Sequence, residues 1–266
     1  MSPSDPVGTD ILDATSGAPG RRAERRNADR PRRPSVGTRI AGVIGELLLT
    51  AGLLVGLFVV WQVFWTDVAV RDDQASAVSE IQERFQQPVV EQEAELRTDD
   101  PPVMEPVAEG EGFATLRVPR WGADYQVPIV HGVGMWDVLN TGAVGHYPET
   151  AMPGAVGNFA TAAHRMSYGA AFRHVDKLQH GDRIVVETAE AWLVYEVFDD
   201  YIVHRTEIDV IAPVPRQPEA QPTQRLLTLT TCHPLWGIED RWITHAELVG
   251  WVPRSEGMPA ELLEVS

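Results

Sequence analysis

Apolar and polar positions alternate with three different rhythms along this chain, and each rhythm predicts a different kind of element. Leu47 to Trp65 is a run of 19 residues without a charge. At about 1.5 Å per helical residue it matches a hydrocarbon core of roughly 30 Å. Ile40 to Gly45 extends the run upstream, so one transmembrane helix is predicted over 40–65. Glu46 then lies near its inner end, and Trp61 and Trp65 fall in the outer interfacial belt. Between 112 and 253 the period shortens to that of strands: 113–118, 125–130, 158–163, 183–188, 191–201, 225–231 and 241–251. Turn residues separate these runs at intervals typical of a barrel, and helical patterning is confined to short stretches around Met135–Leu139 and Ala170–Leu178. The expected architecture is mainly β: a closed antiparallel β-barrel of about eight strands with short helices, preceded by the transmembrane helix.

The flanking segments lack such rhythm. Residues 1–39 are rich in Arg, Pro, Gly and Asp with few large apolar residues, the composition of a disordered segment. From Asp67 to Leu96 the chain is polar and rich in Gln, Glu and Ala, which predicts a solvated helix broken at Pro88. The proline-rich stretch Thr98 to Pro106 continues it, so 66–111 reads as a stalk and 254–266 as a loose tail.

Charge adds direction to this picture. All eight Arg of the first 65 residues precede the apolar helix, which by the positive-inside rule keeps the N-terminus cytoplasmic and sends the rest outward. A cleaved signal peptide, with Ala75-Ser-Ala77 as the cleavage site, fits less well because its apolar run is too long and charged residues intervene. Residues 66–266 hold 14 basic and 32 acidic residues, a net of −18, so this portion would repel nucleic acid.

In that setting the single cysteine, Cys232, has no disulfide partner within the chain, and an unpaired external thiol points to intermolecular pairing, a reactive nucleophile or an inert buried sulfur, of which its surroundings favour the second. Alternation of Leu227, Leu229 and Thr231 against Thr228, Thr230 and Cys232 puts the thiol on the more polar face of its strand, near the end. Amide attack also requires a proton donor and a group that stabilises the oxyanion. Eight histidines compete for the first role: His131, His146, His164, His174, His180, His204, His233 and His245. Spacing does not choose among them, although His233, adjacent to Cys232, should point to the opposite face. Arg241 follows Cys232 by nine residues, so a hairpin would return its guanidinium toward the thiol. One Cys and scattered His give no metal-binding spacing, and no phosphate-cradling loop is present, so neither metal nor cofactor is expected.

The run Thr228-Leu-Thr-Thr-Cys232, Arg241 nine positions on, and Gly157-Asn-Phe-Ala-Thr-Ala-Ala-His164-Arg165 together resemble the sortases, cysteine transpeptidases of Gram-positive surfaces. The segment Gly145 to Gly154 looks most like class E, the housekeeping type of actinobacteria. The resemblance covers 112–253, the expected catalytic domain, and departs from the family pattern at Ala163, where Gly is expected before the histidine. It implies Cys232 as nucleophile, His164 as general acid and base, and Arg241 as the residue that orients the peptide and stabilises the oxyanion. It further implies cleavage of a Leu-(Ala or Pro)-X-Thr-Gly sorting signal between Thr and Gly, with transfer of the acyl group to a cell-wall amine. The implied partners are secreted proteins carrying such signals and peptidoglycan or its lipid-linked precursor. Thr231, Thr230 and Tyr147 are candidates for the substrate groove. The other readings are a pilin-polymerising sortase, for which the lid motif and a second membrane helix are lacking, an L,D-transpeptidase, and a non-catalytic barrel that binds a wall polymer or a protein.

Overall fold

The structure is a computed structural model that describes residues 35–85 and 89–263, with the backbone alone for 62–69. The expectations for residues 1–34, for the break at Pro88 and for the side chain of Trp65 lie outside the described residues. Helix α1 (Val36–Arg84) is continuous. Its stretch Val36–Trp61 contains an 18-residue window of mean hydropathy 2.4 with none of that window buried, long and apolar enough to cross a bilayer. Among the described residues nothing buries these side chains, which is consistent with a membrane anchor.

The outer part of α1 departs from the solvated helix that its composition predicts. Gln74, Val78, Ile81 and Phe85 are buried, and their spacing of three to four residues forms one stripe along the helix. That stripe packs on the barrel. Ile81 lies close against Gly112, where an added Cβ would come within 2.8 Å of its Cδ1. Further along, the extended segment bridges Glu93 to Met258 and Arg97 to Trp251, and Pro101 is buried. Proline suits this segment because it needs no ladder donor of its own.

Eight strands close the barrel: β1 (Gly112–Arg117), β2 (Gln126–His131), β3 (Val144–His146), β4 (Gly157–Ala162), β5 (Arg183–Glu187), β6 (Ala191–His204), β7 (Arg225–His233) and β8 (Asp240–Pro253). Their order around the wall is β1-β2-β3-β4-β7-β8-β6-β5. A closed barrel of about eight strands is as expected, seven of them at the predicted runs, but the barrel is mixed: β2–β3 and β4–β7 pair in parallel. Local alternation decides which side chains face inward; it carries no information on which strand lies alongside. The three-residue β3 is too short to show a period and has no counterpart among the predicted strands. In place of the predicted short helices there are single 3-10 turns, Leu139–Thr141 and Val175–Lys177.

Inward positions of β1, β2, β4, β6 and β7 build one core that includes Leu116, Ile129, Phe159, Leu193, Tyr195, Leu227 and Leu229. A second, ionic layer ties α1 to the barrel. Glu187, fully buried at the end of β5, accepts hydrogen bonds from Thr115 Oγ1 (2.9 Å), Gln82 Nε2 (2.8 Å) and Arg254 Nε (3.0 Å). The Arg254 guanidinium lies 5.0 Å over the Phe85 ring. Such a pair is tolerated in the interior because each oxygen finds donors.

Candidate active site

β7 is built from alternating Leu and Thr, a pattern that fits a strand with one face in the core. Leu227 and Leu229 enter that core, so Thr228, Thr230 and Cys232 share the outer face. Cys232 is partly exposed and unpaired. The ladder to β8 runs from Leu226↔Glu247 to His233↔Asp240 and sets Cys232 opposite Arg241. Directly opposite residues in a ladder point to the same side, so the six-residue turn Pro234–Glu239 returns the arginine to the thiol's face, as the hairpin argument expects. Arg241 Nη1 donates to the carbonyls of Ile238 (3.0 Å) and Asp240 (2.8 Å), which anchors one arm of the guanidinium on the turn.

On the other side of β7, β4 runs parallel in the register Gly157↔Arg225 to Ala162↔Thr230. Its small residues allow this strand to be buried along its whole length. Two bonds carry the register past the end of β4: Ala163 N–H donates to Thr230 O (3.2 Å) and Thr231 Oγ1 to Ala163 O (2.7 Å). His164 follows Ala163 directly, just beyond the end of β4. The segments that carry His164, Cys232 and Arg241 therefore run side by side, in the order β4, β7, β8.

His164 is half-buried and makes two contacts. Its Nε2 lies 2.9 Å from Asn140 Oδ1, and its ring centroid is 5.4 Å from that of Tyr168. Burial removes water from the ring and lowers its pKa below the ordinary histidine value. On the opposite face Arg165 is buried, 5.3 Å over the Trp242 ring and 3.3 Å from His233 Nδ1. His233 accordingly points away from the Cys232 face, as alternation predicts.

The weaker candidates divide. Tyr147 Oη and Thr230 Oγ1 are 3.2 Å apart beside the cysteine strand, so these two meet on its outer face. Thr231 is buried, and its hydroxyl proton is engaged by the Ala163 carbonyl; this side chain fastens β7 to the segment bearing His164. Ala163, which stands where the family pattern has Gly, packs in the barrel core. Asn140 and Tyr168 were not legible as site residues: each reaches His164 from a loop, and loop approach leaves no periodic trace. Among the described residues, no group of three or more His, Cys, Asp or Glu is arranged to hold a metal ion.

A profile of the sortase domain matches residues 116–249. Sortase SrtE1 of Streptomyces coelicolor is 36% identical over 252 residues, covering 92% of this chain and 68% of that protein, and Sortase SrtE2 of the same organism is 32% identical, covering 82% and 86%. Among solved structures, the SrtA sortase from Actinomyces oris is 48% identical with a TM-score of 0.60, over 63% of this chain and 96% of that one. Sortase E1 from Streptomyces coelicolor, crystallised with a tripeptide in its active site, is 41% identical with a TM-score of 0.54, over 58% and 99%. With the closed eight-stranded barrel and the match over its wall, this chain belongs to the sortase family of transpeptidases.

Proposed function

We propose that this sortase is a single-pass membrane enzyme with its barrel outside the cell. There it cleaves a Leu-Ala-X-Thr-Gly or Leu-Pro-X-Thr-Gly sorting signal between Thr and Gly and passes the acyl group to a cell-wall amine. This reading is supported by the ladder pairing of Cys232 with Arg241 and by the parallel β4–β7 pairing, since His164 lies two residues beyond the end of β4. The Cys232 sulfur attacks the threonine carbonyl, and Arg241 stabilises the charge that develops on its oxygen. His164 takes up the thiol proton and delivers it to the departing glycine amine; the thioester is then released by the incoming amine, whose proton returns through the same ring. Thr230 and Tyr147 line the groove where the second signal residue would lie. Segment 66–111 connects the helix to the barrel, and the arginines before the helix hold the N-terminus in the cytoplasm.

The test is a mass spectrum of the protein incubated with a Leu-Ala-Glu-Thr-Gly peptide and no acceptor. A thioester of the four-residue acyl group on Cys232, absent in Cys232→Ala, is the expected result. Turnover by the Cys232→Ala variant would overturn the reading.

A further inference from the structure

We infer that Asn140 is a positioning residue for His164, and that Gln74 of α1 holds Asn140 in place, so that the helix emerging from the membrane is part of the machinery that aims the imidazole. The inference rests on the proposed role of His164 as acid and base. An amide oxygen only accepts, so the 2.9 Å contact between Asn140 Oδ1 and His164 Nε2 puts the imidazole proton on Nε2. Nδ1 is left as the basic nitrogen, and it has no hydrogen bond to any described residue. A histidine whose second nitrogen is fixed keeps both its tautomer and its ring direction, which proton transfer to and from a thiol requires.

Asn140 is itself rigidly seated. Its N–H donates to Met135 O (2.9 Å), and it sits in the 3-10 turn that Gly142 closes in the left-handed region at φ +86°. The carbonyl of that glycine accepts a hydrogen bond of 2.7 Å from Gln74 Nε2, and Gln74 is buried. No side chain fits at Gly142, where an added Cβ would lie 2.5 Å from Val70 Cγ1 and 3.0 Å from Gln74 Cγ. The same glutamine also lies against Gly169, where an added Cβ would be 2.7 Å from Gln74 Nε2. Gly169 directly follows Tyr168, the other residue against the His164 ring. Both contacts of the imidazole therefore come from loops braced by one side chain of α1.

The experiment uses the full chain in lipid nanodiscs, labelled with 15N-histidine, and a Leu-Ala-Glu-Thr-Gly peptide as substrate. In the parent protein the His164 nitrogens should report the Nε2–H tautomer. Asn140→Ala should mix the tautomers and lower kcat about 10²-fold with KM changed less than about twofold, the scale of a misaimed catalytic group. Asn140→Asp, nearly isosteric, should retain the tautomer and move the imidazole limb of the pH–rate profile to higher pH, because a carboxylate favours the imidazolium. Gln74→Leu should mix the tautomers in the same way, and its effect on kcat should be less than additive with Asn140→Ala. Unchanged tautomer and pH profile in both Asn140 variants would overturn the inference, as would an Nδ1–H tautomer in the parent; additive effects would remove Gln74 from it. Should His164→Ala retain turnover, the reading of the site fails instead; an inactive His164→Ala beside a fully active Asn140→Ala fails this inference alone.

Discussion

Cys232 and Arg241 stand directly opposite each other in the ladder between β7 and β8. Their backbones are held by a sheet, so the approach of guanidinium to sulfur is set by a few side-chain torsions and by the bonds that tie Arg241 to its own turn. On the proposed roles, Arg241→Ala should lower kcat by about 10²- to 10³-fold, the usual loss of an oxyanion donor. Arg241→Lys should recover only part of this, since an ammonium lacks the planar fork. Steady-state kinetics on a sorting peptide checks both, with thermal melting to confirm that the barrel is intact.

Thr231→Val keeps the shape of the side chain and removes the hydroxyl that donates to Ala163 O. A buried carbonyl loses a partner, which costs about 1–3 kcal/mol. Because that bond prolongs the β4–β7 register toward His164, activity should fall together with the melting temperature. Parallel loss of both in one preparation is the expected outcome; a stable variant with full activity would show that the register is held by the remaining ladder.

Removing one member of the buried ionic layer should be far more damaging than removing a surface pair. Glu187→Ala leaves Arg254 buried without its carboxylate and should destabilise the barrel by about 3–5 kcal/mol. The exposed pair Arg97–Glu256 should contribute no more than about 1 kcal/mol. Denaturant melts of the two single variants measure the difference.

Two buried histidines make stability depend on pH. His146, fully buried with its Nδ1 3.0 Å from His131 Nδ1, has its pKa pushed down to about 4 by burial and by the neighbouring imidazole. His245, buried between Tyr201 and Thr228, is pushed down to about 4 by burial. In both cases the unfolded chain binds the proton more readily, so stability is complete above about pH 6.5 and is lost as pH falls through the window between 6.5 and 4. A drop from 6.5 to about 4 corresponds to at most on the order of 3 kcal/mol per histidine. Urea melts at pH 7.5, 6 and 5 should show the decline, and His245→Gln should flatten it.

Much of this protein is written in local patterns. The uncharged run ending at Trp65, the alternation that sends Leu227 and Leu229 inward and Cys232 outward, and the offset of nine residues to Arg241 all follow from periods along one segment. Periods are local because a helix or a strand fixes the direction of each side chain relative to its immediate neighbours. His164 stands out among eight histidines by ending a small-residue strand, but its role came from the family resemblance, since spacing alone does not separate it from the others.

Which segments become neighbours was decided by closure of the barrel. The parallel pairing of β4 with β7 sets the segment that leads to His164 beside the cysteine strand, and the three-residue β3 and the mixed direction of the sheet have no signature in alternation. The contacts of His164 with Asn140 and Tyr168, and the brace that Gln74 provides to both of their loops, join positions up to 95 residues apart in sequence. Their geometry depends on how loops and α1 pack once the core has formed. The sequence by itself determined the apolar helix and the longer strands with their faces, because those depend on nearest neighbours; only the tertiary structure decided the short β3, the buried stripe of α1 and which segments lie beside the cysteine strand, because those are set by packing across the whole barrel.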